Sequence, residues 1–460
     1  MRNHAFVRAL AIAIALSPIA SCHSAQNAAA LAPKPYWHVA RGFLRDADGR
    51  AVILRGANVG NKAKPYVDFH QPADFARMRN AWGMNAVRLL VLWAGLEPNR
   101  DQYDDAYMAN VADRVAWAKD ANLAVVLDMH QDVYGEGFGG DGAPLWTCDA
   151  SHYAAFKPAD QWFFNYLSPE VEACVDGFWA SPDLRAHYAE AWRRLAARLS
   201  VFDNVVGFDP MNEPPWGSAP YSGFEEATLQ PFYVDVVGAV RRTAPHFVAF
   251  LEPSASRNIG RATGLVKFPF DDVVYAPHAY DTDAERKGTF DAAHRPGLLA
   301  NVAALADEAK ALDAALWIGE YGGRGDGIVD YMSAEYDGIG QVAASSMYWS
   351  YSKGGPGAYS MLLEDGSEKQ PLVDTLVRPY PERVAGDPIA YAFDTPTSTF
   401  TMTYRSDASI SAPTVLSIPA RVYPNGFSVE CGGCTSEKIA GGLRITSAPS
   451  ANPATITLRP

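Results

Sequence analysis

The chain is poor in cysteine, in clustered positive charge and in long apolar runs, and each shortage excludes something. Its 460 residues carry a formal net charge of -13, with no basic tract and no aromatic–basic interleaving. A chain of that balance does not have nucleic acid as its main partner. No Gly-x-Gly-x-x-Gly and no P-loop is present, so nucleotide use has no support. The histidines fall at no recognisable metal-ligand spacing. A single Cys-x-x-Cys, Cys431 to Cys434, lacks the second pair or histidines that a zinc site needs. The expectation is a protein with no metal and no cofactor.

One apolar run opens the chain. MRNHAFVR supplies Arg2 and Arg8, and ALAIAIALSPIA follows. The run is too short for a permanent membrane span and reads as a secretory signal over 1–21. Ile19-Ala20-Ser21-Cys22 resembles the lipobox of bacterial lipoproteins, in which cleavage precedes the cysteine and Cys22 carries the lipid. The alternative is an ordinary soluble export signal cut a few residues later. Residues 22–35 then form a tether. The expected location is the bacterial outer membrane, periplasm or cell surface, where the lipid anchor makes a membrane surface a partner, or otherwise the secreted fraction. With Cys22 lipidated, an even number of cysteines remains for an oxidising compartment. Cys148–Cys174 is the expected long-range disulfide and Cys431–Cys434 the local one, with a redox or half-zinc motif as the alternative for the second pair.

What is plentiful is flat aromatic surface. Eleven Trp and twenty-two Tyr exceed what a core strictly requires. Stacking on sugar rings is one use for such rings, and interior packing is the ordinary one. Apolar runs at 51–59, 85–92, 123–130, 204–211, 246–253, 272–280, 315–321 and 344–350 alternate with helical patterns such as 74–82, 108–120, 185–199 and 298–312. Near-continuous apolar strands separated by helices imply a parallel sheet covered on both faces. Eight such units imply an α/β fold, a closed (β/α)8 TIM barrel over 36–387, entered through a hairpin with DADG as its turn. After about residue 385 the chain turns to short Thr/Ser/Val-rich segments with Pro and Gly between them. That predicts a small C-terminal all-β sandwich over 388–460, an accessory domain docked on the barrel rather than a binding module. A long insertion at 131–185, after the third strand, carries GEGFGGDGAPLWTCD and QWFFNYL. It either caps the active-site end or is a helical excursion burying its own aromatics.

Polar residues recur at the C-terminal ends of the predicted strands. Arg88 lies in the second, His130 ends the third, Asn212 and Glu213 follow the fourth, His278 and Tyr280 end the sixth, Glu320 the seventh and Trp349 the eighth. Singly, each has a bland explanation in packing or an internal ion pair. Their shared position points to an active site, because barrel enzymes assemble theirs from these ends. Glu213 and Glu320 are brought to one mouth by barrel closure. Two facing carboxyls suit acetal hydrolysis, in which one protonates the leaving oxygen while the other attacks the anomeric carbon.

The motifs MNAVRL (84–89), DMHQDVYG (128–135), PMNEPPWG (210–217), PHAY (277–280) and WIGEYG (317–322) together resemble the retaining glycosidases of glycoside hydrolase family 5. DMHQD, NEP and the trailing sandwich are similar to the endoglycoceramidase and glycolipid glycosidase branch. The resemblance covers roughly 37–455. It implies Glu213 as general acid/base and Glu320 as nucleophile. It implies Asn212 on the sugar 2-hydroxyl, Tyr280 against the nucleophile, Arg88 keeping Glu320 ionised, His130 and His278 shaping the sugar pocket, and Trp349 as its floor. In that branch a lysine after the first strand and an aspartate after the third-strand histidine also touch the sugar. Lys64 and Asp132 match, with Lys62 close enough to compete. Trp146, Trp216, Tyr221 and Phe224, with Trp162, Phe163 and Phe164, line a slot for a lipid aglycone or else pack beneath the loops. The implied substrate is a glycolipid or other β-glycoside. The alternatives are a β-glucosidase or β-glycanase on soluble, aryl or alkyl glycosides and, outside enzymes, a carbohydrate-binding surface lipoprotein.

Overall fold

The computed structural model describes residues 36–67, 69–447 and 453–460. The secretory signal, the tether and Cys22 lie outside the described residues. Eight strands close a parallel barrel: β1 (Arg55–Val59), β2 (Ala86–Val91), β3 (Ala124–Met129), β4 (Val205–Asp209), β5 (Val248–Leu251), β6 (Val273–Tyr275), β7 (Ala315–Tyr321) and β8 (Ser345–Tyr348). Each falls inside one of the eight apolar runs. The runs lack clean alternation because both faces are covered: all six residues of AVRLLV in β2 and of AVVLDM in β3 are buried. The covering helices start on the signals the sequence carries. Asp104 accepts from the amides of Ala106 and Tyr107 to open Asp105–Asp120, and Ser181 caps Pro182–Leu199, which has proline in its first turn. Among the described residues no helix is long and apolar enough to cross a membrane.

The lumen is layered. Val126, Val248, Phe250, Val274, Ala276 and Trp317 share one apolar cluster with Leu54 and Ala86. Two residues further along most of these strands the period-2 pleat presents Arg88, Asp128, Glu252 and His278 to the same interior. A charged layer therefore sits directly on an apolar one. Glu320 keeps this company although it is three residues beyond Trp317, because a bulge between Ile318 and Tyr321 shifts the register of β7 against β8.

The β domain is larger than composition suggested. Its seven-stranded sheet runs His38–Ala40, Phe43–Arg45, Ala51–Val52, Tyr380–Val384, Thr414–Ser417, Gly442–Ser447 and Cys434–Ile439. The opening hairpin thus belongs to this sheet, through Val52 against Arg383, and the run at 51–59 breaks between hairpin and barrel. The domain also begins at Tyr380 rather than at 388, since YPERV pairs with both Ala51–Val52 and Thr414–Ser417. A four-stranded sheet, Gly386–Asp394, Thr399–Ser406, Ala454–Arg459 and Ser428–Cys431, packs against it. Phe400, Met402 and Tyr404 alternate into the shared core. The two domains are tied by polar contacts: Tyr380 Oη and Ser417 Oγ both donate to the Gly83 carbonyl, and Arg79 pairs with Glu382 at 2.9 Å.

The insertion is short helices, Ala150–Ala155 and Pro169–Ala180 among them, joined by the Cys148–Cys174 disulfide with Cα atoms 5.4 Å apart. Cys431 and Cys434 are bonded at the edge of the β domain. Phe138 packs on Tyr153 and Phe156, while Trp162, Phe163 and Phe164 face a cavity at the barrel mouth.

Candidate active site

Arg88 is the hub. It is fully buried, and its guanidinium reaches Glu320 Oε1 at 2.7 Å, Asp209 at 2.8 Å, Glu252 Oε1 at 2.8 Å and Asp128 at 3.0 Å. It also donates to the side-chain oxygens of Asn58 and Asn212, both at 3.0 Å. Five donors in a rigid fork suit such a ring of acceptors.

Glu213 is held by its backbone first. Its φ is +41°, a left-handed value that a non-glycine residue reaches only at a cost, and Pro214 follows. The conformation is pinned on both sides. The amide donates to Glu252 Oε2 at 2.9 Å, and Gln131 Nε2 donates to the carbonyls of Asn212 at 2.9 Å and Glu213 at 3.0 Å. Asn212 Nδ2 in turn donates to the Gln131 carbonyl at 3.1 Å. The carboxyl Oε1 accepts from Asn258 Nδ2 at 2.6 Å and from His278 Nδ1 at 2.8 Å.

Glu320 accepts from Arg88 on one oxygen and from Tyr280 Oη at 2.9 Å on the other. Ligand atoms of Glu213, His278 and Glu320 all lie within 4.8 Å of one another. So close an approach suits the retaining route, with carboxyl groups about 5–5.5 Å apart, better than the inverting one, with about 6.5–9.5 Å. Burial opposes charge on His278, but Glu252 and Glu320 outweigh it and lift the imidazole well above its ordinary value. With its Nδ1 protonated, it donates to Glu213. Burial raises the Glu320 carboxyl, with the charges of His278, Arg88 and His130 pulling it back. Because an attacking carboxylate must be ionised, kcat/KM is expected to fall on the acid side with a midpoint above 4.5. A pH–rate profile from 3 to 8 checks this, and a midpoint below the ordinary glutamate value contradicts it.

His130 stacks on Trp349 with centroids 5.1 Å apart and planes 12° apart. Burial pulls its imidazole down, yet Asp128, at 2.7 Å from Nδ1, and Asp132 lift it to about 10. Of the two candidate lysines, Lys62 is the one in the site: it pairs with Asp132, lies 3.7 Å from Asp141 Oδ2 and sits 5.0 Å from the Trp349 ring centroid. Lys64, expected here from the sequence, instead points away to pair with Glu136 at 2.7 Å on the surface. His130, Asp132 and Asp141 are close enough to hold a cation, and the Lys62 ammonium takes that place. Lys62→Met is accordingly expected to lower kcat/KM by about tenfold or more. Lys64→Ala should stay within about fivefold of wild type, as an exposed pair contributes little. Kinetics of the two variants on one aryl β-glycoside separate the assignments.

The aromatic residues divide differently from expectation. Trp146 packs on Trp93 and His187 and donates to the Glu97 carbonyl; Phe224 is buried against Trp179; Trp216 is buried and meets Tyr221 edge to face. None of these four lines the two cavities that contain Glu213. Trp162, Phe163 and Phe164 do. Glu252, Asn258, Gln131 and Asn58 were missed. Glu252 carried the same signal as its neighbours, a carboxylate closing the apolar run VAFLE, whereas Asn258 lies in a loop with no pattern to betray it.

A family model for cellulase (glycosyl hydrolase family 5) matches residues 45–355, and one for the glycoside hydrolase family 5 C-terminal domain matches residues 378–458. Endoglycoceramidase I of Rhodococcus hoagii (strain 103S) is 28% identical over 440 residues, covering 90% of this chain and 84% of that protein. The solved structure of endo-glycoceramidase II from Rhodococcus sp. superposes with a TM-score of 0.82 at 32% identity, over 91% of this chain and 99% of that one. That enzyme has also been solved with ganglioside GM3 and as a lactosyl-enzyme intermediate. Sterylglucosidase 1 of Cryptococcus neoformans, at 18% identity and a TM-score of 0.79 over 93% of this chain and 97% of its own, shares the fold. A model spanning most of the barrel, together with a relative at 32% identity over nearly the whole chain, makes this protein a member of glycoside hydrolase family 5.

Proposed function

We propose that the protein hydrolyses the β-glycosidic bond between a glycan and a lipid aglycone such as ceramide, with retention of configuration. The observation that carries the reading is that Glu213 stands where two adjoining cavities meet. One, of about 380 Å3, is polar and contains Lys62, His130, Asp132, Asn212, Glu320 and Trp349. The other, of about 470 Å3, shares Trp162, Tyr280 and Tyr359 with the first and adds Phe163, Phe164 and Ile259. Trp162 and Phe164 are each about half exposed, at 50% and 48%. Large aromatics bared beside a catalytic carboxyl suit an apolar group on the leaving-group side. The names of the relatives, endoglycoceramidases, support the same substrate class.

In this reading Glu320 is the nucleophile. Arg88 and Tyr280 hydrogen-bond its two oxygens, favouring the anion and aiming it. Glu213 is the acid and then the base. Its Oε1 is occupied by Asn258 and His278, which leaves Oε2 to carry the proton to the leaving oxygen. The glycosyl-enzyme is then opened by water deprotonated by the same carboxylate. Asn212 keeps one amide hydrogen for the sugar 2-hydroxyl, and Trp349 offers a flat apolar floor. The lipobox-like segment at Cys22 supports export and display at a membrane surface, where glycolipids are presented.

Mass spectrometry of products from glucosylceramide, lactosylceramide, a ganglioside and soluble cellooligosaccharides tests the substrate. Intact oligosaccharide plus ceramide is expected. Turnover of soluble glycosides alone sinks the lipid reading and leaves the two carboxyls working on another aglycone.

A further inference from the structure

The motif Gly139-Gly140-Asp141-Gly142 lies in the long insertion, and the hydrolytic scheme makes no use of it. Its backbone folds back on the segment that carries His130 and Asp132. Asp132 N–H donates to the Asp141 carbonyl at 2.9 Å, and Asp141 N–H to the Asp132 carbonyl at 3.1 Å. Two glycines permit the approach. A Cβ on Gly140 would lie 1.9 Å from the Asp132 carbonyl oxygen, and one on Gly142, whose φ is +116°, would lie 2.4 Å from Gln131 Cβ. The result is that the Asp141 side chain, only 3% exposed, enters the wall of the polar cavity beside Lys62, Asp132, Glu320 and Trp349.

That carboxyl is under-satisfied. Oδ2 stands 3.7 Å from Lys62, which already pairs with Asp132, and Oδ1 is buried with no hydrogen-bond partner. Oδ1 is sealed from solvent, so a ligand meets this carboxyl where it lines the cavity, and the donor class on offer there is the hydroxyls of a sugar. We propose that Asp141 is a glycan-binding residue of this pocket, its carboxyl hydrogen-bonding one sugar hydroxyl and so selecting which sugars are held. The assignment rests on the glycosidase reading and adds to it. The other groups facing Asp141 are Asp132, Lys62 and His130. Burial and Asp132 push the Asp141 carboxyl up to about 7, while Lys62 and His130 pull it down. A sugar hydroxyl meets either protonation state, because it both donates and accepts.

The test uses 4-methylumbelliferyl β-lactoside and analogues lacking one glucosyl or galactosyl hydroxyl, with wild type, Asp141→Ala and Asp141→Asn. Wild-type turnover of the parent compound tests the glycosidase reading by itself. For Asp141, one analogue is expected to lose about tenfold or more in kcat/KM with wild type. Asp141→Ala should lose a similar factor on the parent and nothing further on that analogue, with an unchanged Tm. Asp141→Asn, which keeps an acceptor oxygen, should recover part of the loss. An equal loss by Asp141→Ala on every analogue, or a loss that tracks a lowered Tm, overturns the assignment.

Discussion

Glu320→Gln is expected to cut kcat on any β-glycoside by at least about 10^4-fold, the scale on which removing a covalent nucleophile acts. The substitution is isosteric, so the side chain keeps its place between Arg88 and Tyr280 but cannot attack. Arg88 still has Asp128, Asp209 and Glu252 around it, so Tm should stay near that of wild type. The loss should be the same for a ceramide and for an activated phenol, because attack on the anomeric carbon is common to both. Glu213→Gln is the informative control. Its loss of about 10^2–10^4-fold should appear on poor leaving groups and shrink in the first step for good ones, since a phenolate departs without a proton. Steady-state and burst kinetics on a series of aryl glycosides measure both patterns. A Glu320→Gln enzyme that retains several per cent of wild-type rate contradicts the role given to this residue.

Arg88→Met should be the most damaging single change to stability in the barrel. Arg88 touches four carboxyls that are themselves at most 6% exposed, and among the described residues no other cation pairs with Asp209. Methionine fills much of the volume but leaves the acids facing one another, and breaking a buried pair in this way costs about 3–5 kcal/mol. The pH dependence carries a distinct sign. Burial pushes Glu252 up, but His278 and Arg88 hold its carboxyl below the ordinary range. A depressed carboxyl contributes stability that is present above its unfolded pKa and is lost as pH falls. The gap between wild type and Arg88→Met should therefore narrow toward pH 4 as the acids take up protons. Denaturant unfolding at pH 7 and pH 4.5 reads it directly, and a gap that widens on acidification contradicts the account. Activity should fall with Arg88→Met as well, because Glu320 and Asn212 both lose the donor that orients them.

The barrel and its mouth were legible because most of the strands are short apolar runs ending in a residue that does not belong in one. His130, Glu213, His278 and Glu320 announce themselves in this way, and Arg88 as a charge inside such a run; Arg88 and His130 meet at Asp128, while Arg88 reaches Glu320 and His278 reaches Glu213. Glu252 announced itself equally and was passed over, as its run was read only as a strand. Pairings across long stretches of chain were not legible. Val52 against Arg383 joins the opening hairpin to a sheet more than three hundred residues later, and no local pattern encodes that register. Side-chain direction after a turn was equally hidden. Lys62 and Lys64 differ by two residues, and only the path of the loop sends one to Asp132 and the other to Glu136. The aromatics of the insertion look alike in sequence, yet Trp146 is consumed by packing on Trp93 while Trp162 remains at the cavity.

The central claim is a covalent glycosyl-enzyme on Glu320 with Glu213 across the cleft. Incubation with a 2-deoxy-2-fluoro-β-lactosyl fluoride, which forms the intermediate faster than it is hydrolysed, followed by intact-mass and peptide mass spectrometry, tests it most directly. One fluorolactosyl unit on the peptide 315–321, localised to Glu320 and absent from Glu320→Gln, is the predicted result. A label on any other residue, or turnover to a product of inverted configuration with no label, would contradict it.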